Sequence, residues 1–189
     1  MALILDTFVN DLIDIFSAMD NIMDGTGDEY QAVEMAAAIR RYILTGKVTT
    51  SDAGIIGESS YSGTGTGSMT INRDSLGRDL HATFIAQNSN NQLAARMAAD
   101  IDRACSAADT VTTENSSGSG IGSFARDKTQ IENVLRSCFS AMNGMMTGGG
   151  NEFYARQLGA AITDYLKAGA ITVRLLPPFS SGSGRGGIQ

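Results

Sequence analysis

The chain has 189 residues, and its 42% hydrophobic content is enough to bury a core, yet only 6% are aromatic, none is Trp and 22 are Gly. That balance suits thin helical modules with flexible polar segments rather than one thick core. A formal net charge of −6 and a pI near 4.7 exclude the Lys- and Arg-rich surface that neutralises phosphates, and no apolar run nears the roughly 18–20 residues that span a bilayer, so neither nucleic acid nor membrane is an expected partner.

The start has no basic n-region and meets a carboxylate at Asp6, so it is not a signal peptide, and synthesis in a cytoplasm is expected. From Asp6, the residues Phe8, Val9, Leu12, Ile15, Phe16, Met19, Ile22 and Met23 recur at spacings of three and four, which predicts an amphipathic helix of about five turns. Residues 24–28 break it, and Asp28 with Gln31 has the spacing of a capping box for a second helix. Ala32, Met35, Ala36, Ile39, Tyr42 and Ile43 form that helix's buried stripe, Arg40, Arg41 and Lys47 suit its C-terminal dipole, and Gly46 stands where a left-handed C-cap is expected. Residues 47–50 are too short for a helix and rich in β-branched residues, which predicts a short strand. Residues 51–69 carry Gly63, Gly65 and Gly67 among Ser and Thr and cannot fold alone. They are expected to be either disordered or an extended arm laid on a neighbour, and the alternation around Ile55, Ile56, Tyr61, Met69 and Ile71 favours the arm.

The middle of the chain reads as a degenerate copy of this unit. Leu76, Leu80 and Ala82 match Leu12, Phe16 and Ala18; after a linker at residues 88–91, Ala94, Met97, Ala98, Ala99, Ile101 and Arg103 match Ala32, Met35, Ala36, Ala37, Ile39 and Arg41. Ser89 and Gln92 have capping-box spacing. Val111, Thr112 and Thr113 repeat Val48, Thr49 and Thr50 one residue late, and residues 116–122 repeat the Gly/Ser tail.

The last copy is the clearest, because residues 16–50 recur without a gap 123 positions later, as residues 139–173. Phe16, Ala18, Met19, Ile39, Tyr42, Gly46 and Thr49 return as Phe139, Ala141, Met142, Ile162, Tyr165, Gly169 and Thr172. Thr129 with Glu132 predicts a capping box before the apolar run Ile131, Val134, Leu135, Cys138, Phe139, Met142 and Met146. A linker at residues 147–151 precedes a second helix carrying Phe153, Leu158, Ala161, Ile162 and Tyr165, then a strand at 170–173 and a Gly/Ser tail from Ser180. Such self-similarity marks a tandem repeat. The expected fold is mainly α: three helical hairpins, each followed by a short strand and an extended Gly/Ser arm, over residues 1–70, 71–125 and 126–189. The simplest packing gives the hairpins one shared six-helix core.

No motif carries chemistry. The glycine runs at 63–67 and 118–122 match neither GxGxxG nor a Walker sequence and do not pass from strand into helix, so they read as linkers or arms. His81 is the single histidine, with no second imidazole or Cys pair to complete a zinc site. Asp24, Asp28 and Glu29 lack the alternation of a calcium loop and read as helix-capping acids. One His and many serines without a nucleophile elbow make no triad. Cys105 and Cys138 align with Ile43 and Ile15 and read as buried, reduced thiols. Met19, Met23, Met142, Met145 and Met146, near the hairpin tips, read as adaptable core filler, the alternative being an apolar surface offered to a partner subunit. No catalytic residue, cofactor or metal is therefore expected, and the chain does not read as an enzyme.

An alanine-rich hairpin closing on Tyr42, Ile43, Gly46, Val48 and Thr49, followed by the tail of Gly63, Gly65 and Gly67, resembles small structural proteins of tailed-bacteriophage virions. The last copy carries the match at Tyr165, Leu166, Gly169, Ile171 and Thr172; the middle copy departs from it, with Ala104, Cys105 and Ala108. The resemblance implies a virion structural protein, assembled in the host cytoplasm, that docks on head, neck or tail subunits as a homo-oligomer or ring. Helical faces and arms would make the contacts. The residues expected to meet partners are Val48, Thr49, Thr50, Ile55, Ile56, Tyr61, Val111, Ile171, Val173, Leu175 and Phe179. The alternative is a non-viral helical adaptor with disordered linkers.

Overall fold

A computed structural model of the chain describes residues 3–19, 21–22, 26–86, 89–115, 118–142 and 149–189. Its elements run α1 (Leu5–Met19), α2 (Gly27–Thr45), β1 (Val48–Ile56), β2 (Ser59–Thr70), α3 (Arg73–Ile85), α4 (Asn90–Ser106), β3 (Asp109–Glu114), β4 (Ser119–Ala125), α5 (Thr129–Met142), α6 (Gly150–Ala168), β5 (Ala170–Leu175) and β6 (Phe179–Ile188). Each copy is thus two helices and a β-hairpin. The six strands close into one antiparallel barrel in sequence order, with β6 returning to β1. This overturns the mainly α expectation: the presumed arms are strands, residues 51–69 forming most of β1 and β2 and the two later tails falling in β4 and β6.

The helices pack in sequence order, each against the next, and α6 returns to α1. The ring's core is layered by the repeat. Ala32, Ala94 and Ala155 are fully buried, as are Ile39, Ile101 and Ile162, and Met35 and Met97 are joined by Leu158. Leu12, Leu76 and Leu135 face them from the first helix of each copy. Each of these Ile, Leu and Met side chains contributes roughly 1.5–3 kcal/mol by leaving water, and none of the hairpins could bury this surface alone. Cys105 falls in the layer of Ile43 and Leu166, as the repeat alignment predicts.

The barrel continues that layering. Six strands enclose less room than the eight that just accommodate a filled interior, so each layer holds three side chains rather than six. Moving away from the helices, the first layer is Val48, Thr110 and Ile171, the second Thr50, Thr112 and Val173, and the third Asp52, Glu114 and Leu175, all buried. The partner strands answer with glycine: Val48 pairs with Gly67, Thr50 with Gly65, Thr112 with Gly120, Ile171 with Gly186 and Val173 with Gly184. A Cβ on Gly67 would lie 1.8 Å from the Val111 carbonyl oxygen, and one on Gly186 would lie 1.8 Å from that of Thr49. The glycine runs therefore let strands close a narrow barrel. They read as flexible tails because their usual partner signal, an apolar alternation, is supplied by the other strand.

Several local expectations are corrected. Gly46 and Gly169 are extended rather than left-handed, at φ −72° and −73°. They are needed because a Cβ would strike Ile188 at 2.7 Å in one case and Phe124 at 2.0 Å in the other, where each helix runs straight into the barrel. Thr26 rather than Asp28 stands at the N-cap of α2, with no side-chain cap bond, and Asp28 lies within the first turn. The Thr129–Glu132 box does not form either: Thr129 donates to Asp127 at 2.7 and 2.9 Å, and Glu132 pairs with Arg136. The box at Ser89 and Gln92 is present in full. Finally, Thr110 rather than Val111 takes the place of Val48, keeping the helical alignment unbroken. With a period of two, that one-residue difference turns Val111 outward.

Candidate functional site

The side chains that call for explanation lie inside the barrel, in its half away from the helices. Asp52 and Glu114 are 4% and 3% exposed and occupy the same layer. β1 and β3 aim them inward by strand alternation alone, each two residues beyond a buried threonine. Thr50 Oγ1 donates to Asp52 Oδ2 at 3.1 Å, and Thr112 Oγ1 donates to Glu114 Oε1 at 2.8 Å. The two carboxyl groups converge over Gly65: a Cβ there would stand 2.7 Å from Glu114 Oε1, 2.8 Å from Asp52 Oδ2 and 2.5 Å from Thr50 Oγ1. The third copy places Leu175 in that layer, so its contribution is apolar.

Two carboxylates this close and this dry cannot both ionise cheaply. Burial pushes the Glu114 carboxyl up to about 7, aided by its hydrogen bond with Asp52 and by that group's charge, while the Thr112 bond opposes the shift. Neither acid has a Lys or Arg partner among the described residues, and Asp52 Oδ1, Glu114 Oε2 and the Tyr61 hydroxyl are buried with no hydrogen-bond partner. Tyr61 and Phe179 close this end, with ring centroids 4.9 Å apart, and the Tyr61 hydroxyl rests on Gly63.

The outer wall of β3, β4 and β5 carries an open groove of about 690 Å³. Val111 and Ile121, paired across the strands and 52% and 44% exposed, form its apolar floor, with Asp109 and Arg174 beside them. Most of the remaining wall is Ser, Thr and Gly.

Of the residues expected to meet partners, Val48, Thr50, Ile171, Val173, Leu175 and Phe179 are inside the barrel. Thr49, Ile56 and Tyr61 are half-buried, and Ile55 and Val111 face solvent. Burial alternates along β1 and β5, and the buried face covers this chain's own interior. Asp52 and Glu114 escaped the sequence reading. Their signal is the repeated Thr-x-acid of Thr50 with Asp52 and Thr112 with Glu114, opposite glycines and replaced by Val173 and Leu175 in the last copy.

Cys105 and Cys138 are free and buried, and burial raises their thiols to about 12 and about 11. His81 borders a groove between α2 and α3 beside Glu29, Val33 and Arg73. Met19 and Met142 pack against the core, whereas Met23, Met145, Met146 and Asp24 lie outside the described residues. Among the described residues no group of three or more His, Cys, Asp or Glu could hold a metal ion, and no helix is long and apolar enough to cross a membrane. Compared with known proteins, the chain matches no family model, no curated protein and no solved structure.

Proposed function

We propose that this protein is a structural subunit of a tailed-phage virion that docks on repetitive head, neck or tail subunits. The observation that carries this reading is the layering by three. Ile39, Ile101 and Ile162 in the helix ring, and Val48, Thr110 and Ile171 in the barrel, are equivalent positions of three copies around one axis. A single chain of this build presents an approximate threefold face, which suits a threefold or quasi-sixfold position in a closed assembly. The contact surface in this reading is rigid. Extended arms are not available for it, because the hairpins are closed on one another, so the outer barrel wall with Val111 and Ile121 and the rim of the helix ring take that role.

Mass spectrometry and cryo-electron microscopy of purified particles test the proposal. The expected result is the protein in fixed stoichiometry at a symmetry axis, joined to its own copies or to another virion subunit. Particles that lack it, with the protein left as a free monomer in the lysate, overturn the reading.

A further inference from the structure

We propose that Asp52 and Glu114 hold one proton between them and that this proton latches the far end of the barrel shut, releasing it when alkaline solution takes the proton away. The inference concerns the fold itself and does not depend on what the protein docks on.

The geometry carries it. Both acids are more than nine-tenths buried, and both point at the space over Gly65. The groups facing them can be taken strand by strand. β1 supplies Asp52 and Thr50, β2 the Tyr61 hydroxyl and Gly65, and β3 Glu114 and Thr112. β4, β5 and β6 supply Gly120, Val173 with Leu175, and Gly184, none of which titrates. Arg174 and Arg185 alternate to the outer face, and Glu58 is exposed in the β1–β2 turn. With no cation facing the pair among the described residues, a second negative charge is poorly offset, whereas one proton converts repulsion into a hydrogen bond between the acids. The latch spans strands that are not adjacent: β2 lies between β1 and β3 in the barrel. Losing the proton therefore pushes β1 and β3 apart across the lumen, and the proton leaves to bulk water past the half-exposed Tyr61. The third copy has no acid here, so Leu175 keeps the pair dry without adding charge.

The sign follows from the folded value lying above the unfolded one. The contribution is fully present below about 4.5, where both states are protonated, and is lost progressively as pH rises through about 7. Between pH 5.5 and 8.5 this group alone lowers the folding equilibrium constant on the order of 30-fold.

Urea unfolding of the full chain and of Glu114→Gln at those two pH values is the test. Burial also raises Asp100 on α4, so the difference between the two proteins, not the slope of either, is the readout. The expected result is that the variant loses most of the 30-fold fall and is the more stable protein at pH 8.5. Parallel falls in both proteins overturn the proposal. Should the variant fail to fold, carboxyl carbon NMR of the unaltered protein decides: Glu114 titrating near 7 supports the shared proton, and titration near 4.5 overturns it. Calcium or magnesium chloride added at pH 8.5 completes the test. No effect on stability supports the latch, while a gain in the unaltered protein that Glu114→Gln lacks assigns the pair to a metal ion and overturns the proton.

Discussion

Tyr42 and Tyr165 occupy equivalent positions in the first and last copies, and each reaches the same position of the copy before it around the ring. The Tyr42 hydroxyl lies 2.6 Å from Thr163 Oγ1, and Tyr165 donates to Asp102 Oδ1 at 2.6 Å. Thr163 and Asp102 are themselves equivalent, each one residue after the buried isoleucine of its helix. The middle copy has Ala104 where the tyrosines stand, so the third clasp of the ring is missing.

The two clasps are unequal. Tyr165→Phe leaves Asp102 without its donor and should cost roughly 1.5–3 kcal/mol, the range for hydrogen bonds to charged groups. Tyr42→Phe should cost only about 0.5–1.5 kcal/mol, because Thr163 keeps its bond to the Gly159 carbonyl at 2.7 Å. Urea denaturation of the two variants checks the order.

Glycine should matter in the barrel and not at the start of α2. Gly67→Ala and Gly186→Ala drive a methyl into a backbone carbonyl on the neighbouring strand and should each destabilise by at least ~2 kcal/mol. Gly27→Ala meets nothing nearer than 4.0 Å, in a helical turn. It should be neutral or stabilise by up to ~1 kcal/mol. Thermal melts separate these outcomes.

Removing residues 51–69 should abolish cooperative folding rather than trim an arm. The deletion takes most of β1 and β2 and so opens the barrel along two seams. The measurement is far-ultraviolet circular dichroism through a thermal ramp, where the expected result is loss of the sharp transition along with the strand signal.

The thiols should be silent in the folded protein. Cys105 and Cys138 are buried, with their pKa raised by loss of solvent to about 12 and about 11, so little thiolate exists at pH 8. A thiol-reactive dye should label neither at pH 8 in buffer and both in concentrated urea.

Val111→Ser with Ile121→Ser should leave stability within about 0.5 kcal/mol, since both side chains stand on the outer wall. If that wall is the docking surface, the double variant should fold normally and yet be lost from purified particles, as read by mass spectrometry.

The helices were legible, though the fold class was not, because helical repeats declare themselves twice, by period and by recurrence. The stripe of Ala32, Met35, Ile39 and Tyr42 is buried as its spacing required, and Cys105 and Cys138 sit where their alignment with Ile43 and Ile15 put them. The barrel was hidden for a physical reason. The three layers from Val48 to Leu175 take one side chain from β1, β3 and β5 and face glycines of β2, β4 and β6, whose buried side chains, such as Met69, Phe124 and Ile188, lie toward the strand ends, so half of the strands show little of the alternation that identifies a strand. Low hydrophobicity then suggests a free arm. The acids were hidden in the same way, since nothing local distinguishes Asp52 in a Ser- and Thr-rich stretch from a solvated carboxylate.

The sequence by itself determined which helix faces are buried and that the cysteines are core residues, because these follow from local periodicity and recurrence. Only the tertiary structure decided that the Gly/Ser segments close a barrel and that Asp52 meets Glu114. Strand closure and the burial of charge depend on pairings between segments far apart in sequence, from Thr70 with Asp109 to Val48 with Ile188, and that pairing is set by the packing of the whole ring.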